Sequence, residues 1–276
     1  MTPFTDKLAL VTGAGSGLGR ALCLALGREG GIVVATDIDL HAASDTAAAV
    51  VAAGGRAHAE ALDVTDAAAV SRAVDAVVKQ HGRLDLLINN AGFAVAGEAL
   101  DIELAHWRRI VEVNLMGVVH GTLAAYPLMA RQRGGCIVNI ASLAGLVGAP
   151  LMAPYATTKF AVVGLTLTLR AEAARHGVAV NAVCPGFIET RIFDAATVTS
   201  VTKKDLLGLI PFKFIPAEEA AARILQGVAR NQAFIVFPFY ARVLWWLYRL
   251  SPALMARIGS KAIADAEKLR VRPVAL

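Results

Sequence analysis

Short runs with strand character recur along the chain and alternate with longer stretches in which apolar residues repeat at helical spacing. The runs fall at residues 8–11, 32–36, 56–61, 84–88, 136–140, 178–183 and 234–237, and the helical stretches near 18–29, 40–53, 67–80, 103–133, 155–176 and 217–230. Strands separated by helices predict a parallel sheet with helices packed on both faces. The fold class read from this pattern is α/β, a Rossmann-like, doubly wound, seven-stranded parallel sheet followed by a C-terminal helical extension. Ligands of such sheets bind beyond the carboxyl ends of the strands, so the residues just after each run are the candidates for function.

The pattern changes character after Pro238. Residues 239–250, FYARVLWWLYRL, lie between Pro238 and Pro252. Phe239, Val243, Trp246, Leu247 and Leu250 follow a helical stripe, with Arg242 and Arg249 on another face. Residues 1–238 read as one catalytic domain with a substrate lid at about 188–215, and residues 239–276 as an amphipathic, basic extension.

Composition refines this picture in three places. The mean hydropathy of +0.56 is high, yet the apolar runs are broken by Gly, Pro or charge before the roughly 20 uninterrupted residues that a membrane-spanning helix needs. The N-terminal MTPFTDKLALVTG places an acid and a base before its first apolar run, unlike a secretory signal. Cys23, Cys136 and Cys184 are widely spaced in apolar contexts with no metal-ligand spacing, and read as reduced core residues of a cytoplasmic protein. The net charge of +5 falls wholly within residues 239–276, which hold seven basic and two acidic side chains. The body is therefore balanced, and neither nucleic-acid nor metal binding is expected.

After the first run comes Thr12-Gly13-Ala14-Gly15-Ser16-Gly17-Leu18-Gly19, leading into a helix. Glycines at such a turn let the backbone approach a pyrophosphate, whose charge is stabilised by free amides and the positive end of the helix dipole. Gly13, Ser16, Gly17, Leu18 and Gly19 are thus cofactor candidates. Asp37 closes the second run, where a carboxylate accepts from ribose hydroxyls and repels a 2′-phosphate. With Ile38 beside it and no base at position 16, NAD is expected rather than NADP. Asp63 and Val64 stand at the depth of an adenine ring, and Asn90, Ala91 and Gly92 follow the fourth run.

Ser142 lies just past the fifth run, Tyr155 thirteen residues later and Lys159 one helical turn beyond. At i, i+4 the ammonium and the phenol share a helix face. An adjacent cation stabilises phenolate and brings the Tyr pKa toward the working pH of an acid/base catalyst. Ser142 can donate to a substrate oxygen that gains charge as hydride arrives. Taken with the glycine turn, Asn89-Asn90-Ala91-Gly92, Asn114 and Pro185-Gly186, this set resembles the short-chain dehydrogenase/reductase family in its single-domain, NAD-dependent branch, over about residues 5–238. The resemblance implies that Tyr155 is the acid/base and that Lys159 also holds the nicotinamide ribose. It implies that Asn114 holds a water relaying protons from Lys159, and that Pro185, Gly186, Ile188 and Thr190 back the carboxamide. A homotetramer, or a dimer, is also implied.

For the substrate, Phe93, Leu143, Met152 and Phe187 offer apolar walls around Ser142 and Tyr155, with Leu146 near them. The expected reaction is interconversion of a secondary alcohol and a ketone with NAD(H), on a lipophilic substrate such as a steroid, long-chain or bulky aromatic compound. Reduction of a 3-oxoacyl thioester, polyol oxidation and a non-catalytic nucleotide-binding scaffold stand as alternatives, because the motifs read cofactor and carbonyl rather than the rest of the substrate. Two placements of the tail stay open: peripheral contact with a membrane, to which a second basic segment through Arg272 would add, or packing over the substrate mouth or a neighbouring subunit.

Overall fold

The computed structural model describes residues 2–190, 192, 196–199, 202–208 and 210–267. Arg272 and parts of the 188–215 segment lie outside them. Seven strands, β1 (Leu8–Thr12), β2 (Ile32–Asp37), β3 (Arg56–Ala61), β4 (Leu86–Asn89), β5 (Gly135–Ile140), β6 (Val178–Pro185) and β7 (Phe234–Phe237), form one sheet in the order β7-β6-β5-β4-β1-β2-β3. Every neighbouring pair is parallel. The chain order reverses between β1 and β4, which opens a crevice at their carboxyl ends.

Both faces of the sheet are covered, as a parallel sheet of Val, Ile and Leu requires. On one side lie α1 (Gly17–Arg28) and α2 (Leu40–Ala52); on the other lie α3 (Ala67–His81), α4 (Leu104–Gln132) and α5 (Ala153–Ala173). Joining α1 and α2 on their face is α6 (Ala217–Ala229), where Leu22, Leu26, Val50 and Ile224 pack against Val11, Val33 and Ile88. Val74, Val77, Ala125, Met129 and Leu169 fill the opposite face over Leu10, Leu87 and Ile137. Each such buried Val, Leu, Ile or Met side chain contributes roughly 1.5–3 kcal/mol. Local signals set the ends: Asp39 and Asp66 cap α2 and α3 by accepting first-turn amides, and Gly82 ends α3 at φ +77°.

Three departures from the sequence pattern have physical causes. β4 begins at Leu86 rather than 84, because the N–H and C=O of Leu84 are held by the side chain of Gln132 at 3.1 and 2.9 Å. The stretch 103–133 is helical but carries a π turn at Glu112–Met116, which inserts Asn114 into the ladder. Two short parallel pairs, Val95–Ala96 with Thr197–Val198 and Ile188–Glu189 with Ile215–Pro216, tie the segment after β6 to the body. Among the described residues α4 alone is long and apolar enough to cross a bilayer. Ala125 and Met129 on its inner face pack into the sheet core.

Beyond β7 the chain forms α7 (Phe239–Leu250) and α8 (Pro252–Glu267). Ala241, Leu244, Trp245 and Tyr248 turn inward onto a core that includes Leu143, Val147, Cys184 and Val236. Phe239, Val243, Trp246 and Leu250 face out. Of the apolar stripe visible in the sequence, Phe239, Val243, Trp246 and Leu250 are therefore exposed and Leu247 is half-buried, while the face opposite is the packed one.

Candidate active site

The turn after β1 is built by glycines and locked by Asn90. Gly13 sits at φ +64° and Gly17 at φ +50°, a region that side chains disfavour. A Cβ on Gly13 would come within 2.8 Å of the Ala91 Cα, and one on Gly19 would overlap the Gly13 carbonyl. Asn90 donates its side-chain amide to the carbonyls of Thr12 (2.9 Å) and Gly13 (3.0 Å), while the backbone N–H groups of Asn90 and Ala91 donate to the Thr12 hydroxyl at 3.0 Å each. The sequence motif singled out the glycines; the clamp by Asn90 and Thr12 appears only when β1 and β4 lie side by side.

This turn delivers the N-terminus of α1 to the crevice. Ser16 stands at the N-cap but takes no first-turn amide with its side chain, and the first turn has no acid. Those amides and the dipole behind them are therefore available to an anion. Asp37, at the end of β2, accepts from the N–H of Gly15 (2.9 Å) and of Asp39 (3.1 Å). Its carboxylate is held at the rim beside Ile38. Arg20 lines a second cleft with Glu189, Thr190 and Glu218. Asp63 accepts from the N–H and hydroxyl of Thr65 at 2.9 and 2.8 Å.

A cavity of about 880 Å³ runs from this turn across the carboxyl ends of β1, β4, β5 and β6. Gly13, Ser16, Gly17, Leu18, Gly19, Asp37, Ile38, Asp63, Val64, Asn90, Ala91 and Gly92 line one part, with Pro185, Gly186, Ile188 and Thr190 facing them. Ser142, Tyr155 and Lys159 line the same cavity, together with Phe93, Leu143, Met152 and Phe187. Among the site residues taken from the sequence, Asn114 is not on the wall. Its fully buried side chain is engaged by Phe93, whose N–H donates to Oδ1 at 3.0 Å and whose carbonyl accepts from Nδ2 at 2.9 Å. This paired amide holds the strand-end loop to the π turn.

Ser142 caps a short 3₁₀ turn, accepting the N–H of Ala144 at 3.1 Å. That contact uses a lone pair of the hydroxyl and leaves its hydrogen directed elsewhere. Tyr155 lies in the first turn of α5, after Pro154, with its phenol hydrogen-bonded to the Ser142 side chain. Lys159 donates to the Ile140 carbonyl at 2.7 Å and lies 5.6 Å from the centre of the Tyr155 ring. The helix is fixed in register by Asn139 of β5, which donates to Thr166 on the same face at 3.0 Å and accepts from Asn89 at 2.8 Å.

Burial dominates the electrostatics. It raises the Tyr155 phenol above its ordinary value; the Ser142 hydrogen bond opposes this, and the thiol of Cys184 adds to it. Burial also lowers Lys159 from 10.5 to about 8. Cys23, Cys136 and Cys184 are all free, and burial pushes each up to about 12.

The cavity has walls that the sequence pattern did not mark. Arg109 reaches it from α4 and lies 5.2 Å over the Phe93 ring. Leu244 of α7 and Met255, Ile258 and Gly259 of α8 close its outer end. Tyr240 works from behind the wall: its hydroxyl accepts the N–H of Phe187 at 2.7 Å, and its ring stacks on Phe212 at 4.3 Å. A Cβ on Gly186 would overlap that hydroxyl, which gives this glycine a packing reason.

The family model for the short chain dehydrogenases matches residues 7–200. EphD of Mycobacterium tuberculosis is 43% identical over 190 residues, which make up 68% of this chain but only 32% of EphD. SadH of the same species is 36% identical over 269 residues, covering 96% of this chain and 98% of that one. A crystal structure of a short chain dehydrogenase/reductase from Burkholderia phymatum in complex with NAD superposes with a TM-score of 0.84 at 31% identity, covering 92% of this chain and 96% of that one.

Proposed function

This chain belongs to the short-chain dehydrogenase family, and from that premise we propose that it is an NAD(H)-dependent oxidoreductase interconverting a lipophilic secondary alcohol and its ketone. One observation carries the reading: Ser142, Tyr155 and Lys159 converge on one wall of a cavity whose other part is lined by an uncapped helix N-terminus and by Asp37. The available amides suit a pyrophosphate, and the carboxylate at the β2 rim suits a ribose diol and opposes a 2′-phosphate. That the Burkholderia phymatum relative is a complex with NAD supports the same preference.

When bound, the nicotinamide cofactor accepts or gives the hydride. The chain's own residues handle the oxygen and its proton. Ser142, already accepting from Ala144, donates its hydroxyl hydrogen to the substrate oxygen and steadies charge there in the transition state. Tyr155 takes the alcohol proton in oxidation and returns it in reduction. Lys159 lowers the free energy of the phenolate through its charge. Asn114 keeps Phe93 and the π turn in place beside them.

Phe93, Leu143, Val147, Met152, Phe187, Ile192, Phe212 and Leu244 form the substrate part of the cavity, and among the described residues the charges near them are Lys159 and Arg109. Such walls favour a steroid, long-chain or bulky aromatic alcohol over a sugar. We infer a homotetramer as well, supported by Leu123, Phe160 and Leu167, exposed on α4 and α5. Three free thiols fit a reducing cytoplasm.

The test follows nucleotide reduction by absorbance over a panel of sugars, short alcohols, steroids and long-chain alcohols, with NAD and with NADP. Lipophilic secondary alcohols with NAD should turn over best, and Asp37→Ala should narrow the NAD preference about tenfold. Tyr155→Phe should bind NAD as the wild type does and lose roughly a thousandfold or more in turnover. Full activity in Tyr155→Phe would overturn the mechanism, and best turnover on sugars would overturn the substrate class.

A further inference from the structure

α7 is apolar on two opposite faces. Ala241, Leu244, Trp245 and Tyr248 pack inward. Phe239, Val243, Trp246 and Leu250 are exposed by 78, 39, 62 and 76%, and their spacing puts them in one stripe. Leu254 and Ile258 of α8 extend the exposed apolar surface, and Ile258 with Met255 also lines the cavity. The same helix pair therefore walls the substrate space and offers outward a patch of a kind that proteins in water keep for a partner.

The charges choose the partner. Arg242 and Arg249 flank the stripe, the first anchored on the Val236 carbonyl at 2.7 Å and the second lying 5.5 Å over Trp245. α7 has no acidic residue, and the whole +5 excess of the chain lies in residues 239–276. An isologous contact through this stripe would bring two basic tails together, with no acid on either α7 to answer the arginines. An anionic lipid surface answers both features at once, since Trp and Phe settle at the boundary between headgroups and acyl chains while arginines meet the phosphates.

We propose that α7 and α8 dock this protein on an anionic bilayer surface through Phe239, Val243, Trp246 and Leu250, setting the outer end of the cavity against the lipid. Delivery of a lipophilic alcohol from the bilayer would follow, and that consequence alone rests on the substrate reading given above.

The full-length protein with NAD is sedimented with vesicles of phosphatidylcholine, and of phosphatidylcholine mixed with phosphatidylglycerol, at low and high salt. The wild type should pellet with the anionic vesicles and less so at high salt. Phe239→Ser/Trp246→Ser should lower the partitioning about tenfold at an unchanged melting temperature, since both side chains project away from the packed face. Wild-type protein that stays in the supernatant, or a double variant that pellets equally, would overturn the docking surface. So would a double variant that falls to a smaller assembly on sizing without vesicles, because the stripe would then be a contact between copies. Vesicle binding together with best turnover on sugars would overturn the substrate reading and leave the docking surface standing; lipophilic turnover without vesicle binding would do the reverse.

Discussion

Lys159 shows how a single residue ties stability to chemistry. The residue is 4% exposed, and burial lowers its pKa from 10.5 to about 8. A base whose folded value is depressed is protonated more readily in the unfolded chain, so stability rises with pH through that window. The penalty is on the order of 3 kcal/mol below pH 8 and is lost by about pH 10.5. Unfolding by urea should therefore show the wild type gaining on Lys159→Met between pH 7 and pH 9.5, with the variant inactive at both. Parallel pH profiles for the two proteins would mean that Lys159 folds without this penalty. Tyr155 is shifted the other way, upward by burial, so a step that needs its phenolate should speed up as pH rises, which a pH–rate profile checks.

Among elements, α7 has an effect on the site that no local motif announces. The Tyr240 hydroxyl accepts from the N–H of Phe187, in the loop after Pro185-Gly186, and the Tyr240 ring stacks on Phe212 of the covering segment. Tyr240→Phe keeps the stack and leaves one half-buried amide unpaired, a loss of about 1 kcal/mol. Steady-state kinetics should show KM for NAD and for a lipophilic alcohol each raised about threefold to fivefold, with the chemistry of Tyr155 intact. Unchanged KM values would show that the loop holds its shape without the hydroxyl. The turn at α1 contrasts with this. Its glycines are recognisable from spacing because their constraint is local, whereas the Asn90 clamp on Thr12 and Gly13 spans 78 and 77 residues.

For the whole molecule, the two C-terminal helices complete the fold rather than append to it. Removing residues 239–276 would strip the packed face of Ala241, Leu244, Trp245 and Tyr248 from the core and open the outer cavity wall at Leu244, Met255 and Ile258. The shortened protein should melt at a clearly lower temperature. Its KM for bulky alcohols should rise about tenfold, with a smaller rise for short ones, since each lost apolar contact removes burial that only large substrates use. An equal change for both substrate sizes would place the loss in the scaffold and not in the pocket.

The sequence by itself determined the order of strands and helices, the cofactor turn and the placing of Ser142, Tyr155 and Lys159. Each depends on short-range spacing along rigid elements: glycines at one turn, i, i+4 on one helix, a serine one step past a strand. Only the tertiary structure decided that Asn114 is paired with Phe93, that Tyr240 supports the Phe187 loop and that the outer wall comes from α7 and α8. It also decided which apolar face of α7 is buried. The periodicity of FYARVLWWLYRL yields two apolar faces, and burial follows from what stands opposite; here the core around Leu143, Cys184 and Val236 receives Ala241 and its neighbours and leaves the Phe239–Trp246 stripe to solvent.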